Sequence, residues 1–453
     1  RTHLSGTGCL DYGDILFIPT IKAWNENDFS MTFEHKNEFA TAGIYKVKNL
    51  NKQGIDAYLT TTERVGFHKY VFPASAKSTS IIIDLLWRDE LLDYDYKILN
   101  DSTVVGYRCS KSWNENQKIF FATIFSSKIS KHKFDKQTKR LFLEFESVEE
   151  NNKKTIEART AISSVNEEGA LKNLASEESI RFDKALTKNT ALWEKELGKI
   201  EIFGGAQKQR DVFYTSLYHC MIAPNLYSDV DNRYRGMDDK IQNAKGYNRY
   251  TVFSLWDTYR TLHPLLSIID QKRSMDFAKT FIDMQLQNGE LPMWELASAE
   301  THCMIGMHGI SVLAELYQKG IYAYPKLTLE SMINNANPEL REINKRNYTN
   351  KKHNLLGLDY FTKNGYISSE FEHEGVSKTV EYAYNMYCVA QVAKSQGRMD
   401  LYDEYIKKSQ YYRNLINPAT GFIHPKENGR FLPNFDLRQI DQNYTEGNGW
   451  RRS

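Results

Sequence analysis

FSLWDTYRTLHPL, residues 253–265, is the stretch on which the fold of this chain turns. It sets aromatic, acidic and basic side chains side by side in Trp256-Asp257-Thr258-Tyr259-Arg260, then runs into His263-Pro264-Leu265. Asp257 and Arg260 stand three residues apart, on one face if the segment is helical. Such a pair suits contacts to ligand hydroxyls or an ion pair that holds structure. Downstream, apolar residues recur at helical spacing: Phe277, Phe281 and Met284; Ile310, Leu313, Leu316 and Tyr317; Tyr384, Cys388 and Val392; Leu401, Tyr405 and Tyr412. Upstream, Val212, Leu217, Cys220 and Met221 mark another such face. Long loops rich in Asn, Gly, Asp and Trp separate these helices. That alternation suits a toroid of helical hairpins whose loops build a site at one end, better than a plain bundle.

Further upstream the pattern changes to short β-branched and aromatic runs. STSIIIDLLW (79–88), TVVGYRC (103–109), KIFFATIF (118–125), KRLFLEF (139–145) and KTIEARTAI (154–162) are parted by Asn, Asp, Ser and Lys clusters. They predict a β-sandwich with strand spacing fit for a meander. Residues 165–200 are charged, poor in glycine and helical in spacing, and read as a helical linker.

At 453 residues the chain is too long for one ordinary domain. Its net charge of +2 supplies no field for nucleic acid, and no basic cluster with interleaved aromatics occurs. Aromatics reach 13%; sugar sites use such rings as platforms, although helical cores also consume them. Cys9, Cys109, Cys220, Cys303 and Cys388 are scattered without a C-x-x-C pair, so zinc and thioredoxin chemistry are unsupported. Cys220, Cys303 and Cys388 lie among apolar residues and are expected to be buried. No apolar run reaches transmembrane length, and the chain opens as if inside a domain, without a signal peptide.

Six ordered blocks resemble glycoside hydrolase family 92. They are HLSGTGCLDYGDILF (3–17), TTERVGFHKYVFP (61–73), WDTYR with the following HPL, GELPMWELASAETHCMIGMH (289–308), VSKTVEYAYNMYCVAQVAK (376–394) and YTEGNGW (444–450). The resemblance implies an α+β multidomain fold. Its parts would be an N-terminal β-sandwich over 1–163, a helical linker over 164–204, and an (α/α)6 barrel over 205–453 that is incomplete at its C-terminus. The site would lie between the domains. The resemblance also implies an exo-acting α-mannosidase that removes terminal α-linked mannose, α-1,2 first, from N-glycans or mannan. The reaction would invert the anomeric centre and use calcium. Family members are typically bacterial and secreted or surface-held, so the resemblance implies a secreted, periplasmic or cell-surface location in a bacterium.

Inverting hydrolysis needs one carboxylic acid to protonate the leaving oxygen and a carboxylate across the ring to activate water. The acid needs a raised pKa, so burial near apolar or negative groups is expected. Glu446 of TEGN matches the family's acid, with Asn448 as a sugar or loop-anchoring contact. Asp257 is expected to hold vicinal hydroxyls, Arg260 to assist, and Trp294 to pack on a sugar face. Glu300, His302 and His308 suit hydroxyl contacts or core roles. The two histidines are six apart, not the i,i+4 spacing of a helical metal pair, so no metal ligand is assigned. Glu381 reads as a capping or ion-pairing residue at a helix start with Ser377 as N-cap. DVDNRYRGMDDK (229–240) hints at a calcium loop, but Tyr234 and Lys240 stand where an EF-hand needs Gly and Glu. It therefore reads as a solvated loop. His3, Asp11, Asp14 and Arg64 are the polar residues of the sandwich blocks, unranked between site and turn.

Family members carry two further blocks, Asn-Glu-Pro and Gly-Asn-Asp-Asp, which hold calcium ligands and the carboxylate proposed as base. Neither occurs in these residues. The expectation is a chain cut at both ends. A non-catalytic mannoside-binding remnant of the same fold is the alternative reading. A phosphorylase or α-glucosidase of similar plan fits the WDTYR and TEGN contexts less well.

Overall fold

The computed structural model describes residues 9, 11–24, 26, 28–146, 149–150, 152–337, 339–340, 357–433 and 435–452. The chain divides into two compact units, 1–235 with 241–245, and 236–240 with 246–453.

The first unit is a two-sheet sandwich. Its strands are β1 (Leu16–Thr20), β2 (Glu38–Thr41), β3 (Ile44–Leu50), β4 (Ile55–Thr61), β5 (Val65–Pro73), β6 (Ser80–Asp84) and β7 (Glu90–Ile98). They continue as β8 (Thr103–Lys111), β9 (Gln117–Phe125), β10 (Ile129–Asp135), β11 (Arg140–Phe145), β12 (Glu149–Glu150) and β13 (Lys153–Ser163). The smaller sheet runs β1-β6-β11-β10 and the larger β2-β3-β4-β5-β13-β9-β8-β7. Only parts are the meander read from the sequence: β6, β10 and β11 leave the larger sheet to pair with β1. The period of two explains the packing. Ile81, Ile83, Leu141 and Leu143 meet Tyr70, Phe72, Val104, Phe121 and Ile156 in the core between the sheets. Neighbouring residues Val65, Phe67, Val105, Ala122 and Ala161 face the other way.

That outer face is covered by helices α1 (Glu167–Ala175) and α2 (Phe182–Leu197), through Ala170, Leu174, Phe182 and Ala185. Asn166 starts α1 by accepting the Gly169 N–H at 2.9 Å. Gly169 itself must be glycine, since a Cβ there would lie 2.4 Å from an Asp229 oxygen. Helix α3 (Gln207–Cys220) follows, with Val212 of the expected apolar face 59% exposed. The DVDNRYRGMDDK segment is not a solvated loop. Asp229 and Tyr234 are buried, Asp229 accepts from Ser163 and Asn173, and Arg233–Arg235 pairs with Ile241–Asn243.

The second unit is helical. It contains α4 (Leu255–Thr258), α5 (Leu262–Ile269), α6 (Gln271–Asn288), α7 (His308–Gln318), α8 (Pro325–Ala336), α9 (Leu358–Asn364), α10 (Gly375–Ser395), α11 (Met399–Lys408) and α12 (Gly449–Arg452). Phe277, Phe281 and Met284 of α6, Ile310, Leu313 and Leu316 of α7, and Tyr382, Met386, Val389 and Val392 of α10 share one core. Helix α10 packs on α7, α8, α9 and α11. Cys388 and Val392 of the expected face lie in this core, whereas Tyr384 is left 42% exposed. Cys388 is buried, whereas Cys220 and Cys303 are half-buried. No helix among the described residues is long and apolar enough to cross a membrane.

Candidate active site

Short strands bring the decisive segment against its neighbours. Phe253–Ser254 pairs with Trp294–Leu296, which pairs with Ala299–Glu300. Ser254 therefore stands opposite Trp294. The Ser254 hydroxyl donates to Asp257 Oδ2 across the first turn of α4, and Asp257 is exposed. Trp294 is buried, with 5% of its surface exposed.

Arg260 does not pair with Asp257. Its Nη2 donates to Glu381 Oε1 at 3.0 Å, and its guanidinium lies 4.7 Å from the Tyr259 ring centroid. The Tyr259 hydroxyl donates to Glu381 Oε2 at 3.3 Å, and His308 Nε2 lies 3.2 Å from the same oxygen. The Tyr259 and His308 rings stack at 3.8 Å and 4°. Gly306, at φ +84°, makes room for this imidazole: a Cβ there would fall 2.3 Å from Nε2. Glu381 is buried while Arg260 keeps about half its side-chain surface, so the cluster opens to solvent through its guanidinium.

Glu381 lies in the second turn of α10 and is not a capping residue. Nor is Ser377 the N-cap. Glu374 takes that position with φ 60°, and the Ser377 hydroxyl accepts the Thr445 N–H at 3.0 Å. Asn443 O accepts from Val376 and Ser377, and Gln442 O accepts from Glu374 at 2.7 Å. The segment before Glu446 is thus fastened to α10 one turn from Glu381. Glu446 itself is exposed with φ 46°. Asn448 anchors the same loop by donating to Arg438 O at 2.9 Å.

Glu300 serves backbone. It accepts from the N–H groups of Met293, Trp294 and His302 at 2.8, 2.9 and 3.0 Å, and burial pushes its carboxyl up. It thereby positions Trp294 and His302, and His302 Nε2 lies 2.8 Å from Glu290 Oε1. Glu295 is fully buried, holds the Thr251 hydroxyl and the Val252 and Ser298 N–H groups, and is pushed by burial up to about 7. Left-handed backbone gathers in these loops, at Val252, Ala297, Ser298, His302, Met304, Glu374 and Glu446. For β-branched Val252 that conformation is costly, and such strain concentrates at functional sites.

Three of the four sandwich residues have other work. Asp11 is buried and accepts from Ser112, Trp113 and Asn114, which fixes a turn. Asp14 joins Arg88, Arg108 and Asp89 in a buried ion cluster. Arg64 Nε donates to Ser228 O at 3.1 Å, and His3 lies outside the described residues.

The structure brings WDTYR, ETHCMIGMH, KTVEYAY and YTEGNGW together along α10. Sequence reading missed Tyr259, Glu290 and Glu295 as members of this neighbourhood. A signal existed: Glu290, Glu295 and Glu300 recur every five residues in an apolar stretch broken by Gly289 and Pro292. Among the described residues, no group of three or more His, Cys, Asp or Glu is arranged to hold a metal ion.

Several known proteins are similar to the chain. A family GH92 α-mannosidase from Bacteroides thetaiotaomicron superposes with a TM-score of 0.89 at 31% identity, covering 99% of this chain and 62% of that one. A structure of that enzyme with mannoimidazole gives 0.86 over 96% of this chain and 59% of that one, also at 31% identity. A family GH92 inverting mannosidase from the same organism gives 0.83 at 25% identity, over 96% and 60% of the two chains. A protein described as an uncharacterized secreted glycosidase, from Arthroderma benhamiae, is 23% identical over 304 residues, 64% of this chain. The chain spans only 34% of that relative and about three fifths of the solved structures. The family 92 N-terminal domain model matches residues 1–165 and the catalytic domain model residues 169–453, and on that ground the chain belongs to glycosyl hydrolase family 92.

Proposed function

We propose that this protein is an exo-acting α-mannosidase that hydrolyses terminal α-linked mannose, α-1,2 first, in N-glycans or mannan, with inversion and with calcium. One observation carries the reading. Four separate sequence blocks converge along α10 around an open, charged and aromatic cluster, in a chain 31% identical to an α-mannosidase over nearly its whole length. The mannoimidazole complex of that relative and the inverting relative support the substrate class and the stereochemistry.

In this reading Glu446 protonates the leaving oxygen from a loop fastened to α10, where it stands exposed and lacks the burial expected of an acid. Asp257, exposed beside Ser254, accepts hydrogen bonds from two neighbouring hydroxyls. Trp294 supplies an apolar wall, and Arg260 reaches the ligand from its anchor on Glu381. Glu300 and His302 act through the loop that holds Trp294, and Asn448 through the loop that holds Glu446. Inversion also needs a base carboxylate across the ring. Among the described residues the side chains do not by themselves form a calcium site, so no step passes through the ion. Calcium rests on the family alone. A location outside the cytoplasm rests on the family and on the secreted relative.

The test is proton NMR of the purified protein with α-1,2-, α-1,3- and α-1,6-linked mannobiose, with and without EDTA. Early appearance of β-mannose, fastest from the α-1,2 disaccharide and lost on chelation, is expected. Early α-mannose would overturn inversion. Binding without turnover, indifferent to EDTA, would replace the enzyme with a mannoside-binding protein.

A further inference from the structure

The sandwich carries a cavity of about 380 Å³ on the outer face of its smaller sheet. Inward residues of that sheet, Ile81, Ile83, Leu141 and Leu143, fill the core between the sheets. Their neighbours Ile18, Ile82 and Phe142 face the other way, and Phe29 packs edge-on against Phe142 at 5.2 Å. This apolar patch is the floor.

The wall is polar and aromatic. Trp24 is 54% exposed, and the Lys133 ammonium lies 3.2 Å from its ring centroid, which braces the indole. Asp135 and Arg140 are cross-strand partners, and Arg140 Nε donates to Asp84 at 2.8 Å. Glu26 completes the charges. Two carboxylates therefore face two cations, a balance that disfavours an anionic or cationic ligand. Thr138 lines the cavity beside Asp135, whose Oδ1 accepts the Thr138 N–H at 3.4 Å. The volume lies within the ~300–1,000 Å³ usual for small-molecule sites.

We infer that this cavity is an accessory binding site for a neutral hexopyranose unit of a polysaccharide. Trp24 is its stacking platform, and Asp135 and Arg140 are its hydroxyl partners. An apolar floor, an exposed ring and balanced charge together match a ring that is apolar on its faces and polar at its rim. The site does not rest on the catalytic reading.

Native electrophoresis in gels containing yeast mannan, dextran or heparin tests it, with melting temperatures as folding controls. The intact chain is expected to be retarded by at least one neutral polysaccharide and not by heparin. Trp24→Ala should weaken that retardation about tenfold, the worth of one aromatic contact. Arg140→Lys, which keeps the charge but not the forked geometry, should weaken it about threefold and decides the matter if Trp24→Ala does not fold. Retardation should survive in Asp257→Ala, and Trp24→Ala should keep the wild-type rate on an aryl α-mannoside. No retardation by mannan or dextran, retardation by heparin alone, wild-type retardation in Trp24→Ala and Arg140→Lys, or its loss in Asp257→Ala would each overturn the proposal.

Discussion

Two charged clusters, one in each unit, are built from similar side chains to different ends. In the sandwich, Asp14, Arg88, Asp89 and Arg108 are all nearly sealed from solvent, and Arg108 also holds Leu85 O and Ser110. In the helical unit, buried Glu381 gathers Tyr259, Arg260 and His308, but Arg260 stays half open to solvent. A closed cluster spends its charges on one another. An open one keeps a donor for something that arrives. Similar side chains thus mark structure in one place and, in the function proposed, recognition in the other, and exposure separates them.

The sharpest break in that comparison is Glu446→Gln. It should lower kcat about 10²–10⁴-fold, as loss of a general acid does, with an unchanged melting temperature, checked by calorimetry beside mannoside kinetics. Next, Arg108→Met should destabilise the sandwich by about 3–5 kcal/mol, because it strands buried carboxylates. Chemical denaturation reads that loss, and kcat of the folded fraction should hold. A change in kcat would make the closed cluster functional after all. Third, Glu381→Gln should cost only ~2 kcal/mol, since Arg260 is already half solvated, yet it should lower kcat/KM about tenfold. Stability loss with intact kcat/KM would class Glu381 with the sandwich cluster.

Acidity offers a subtler contrast. Glu295 is pushed from 4.5 up to about 7 by burial, so the folded state holds a proton that the unfolded state releases. Its contribution is full below pH 4.5 and is lost as pH rises through about 7. His263 runs oppositely: burial lowers it from 6.5 to about 4, and its contribution is lost as pH falls through that range. Melting temperature followed across these windows should lose its decline toward pH 7 in Glu295→Gln. The smallest effect belongs to Asn166→Ala, about 1 kcal/mol for one lost N-cap, with no kinetic change.

Much of the fold was legible because its signals are local. Alternation in KIFFATIF and KTIEARTAI marks strands wherever they pair, and the linker's helices follow their own periodicity. What was not legible depends on partners distant in sequence. The move of β6, β10 and β11 into a second sheet leaves no local mark. Arg260 looked suited to ligand hydroxyls or to Asp257, three residues away; its partner, Glu381, is 121 residues on. Glu300 looked like a ligand contact because nothing in ETHCMIGMH shows three backbone N–H groups converging on it. Ser377 looked like an N-cap because the left-handed Glu374 that begins the helix carries no sequence signature.

The loop ahead of Glu446 and the start of α10 share hydrogen bonds, and that has a dynamic consequence. The first amides of any helix lack partners within it. Here Gln442 and Asn443 carbonyls supply them, so the loop completes the helix as much as the helix holds the loop. Neither can loosen alone. Release of the loop would fray the first turn of α10, and fraying of that turn would set the loop adrift. Amide hydrogens of Glu374, Val376, Ser377 and Thr445 should therefore exchange with deuterium at one common rate, as a single opening unit.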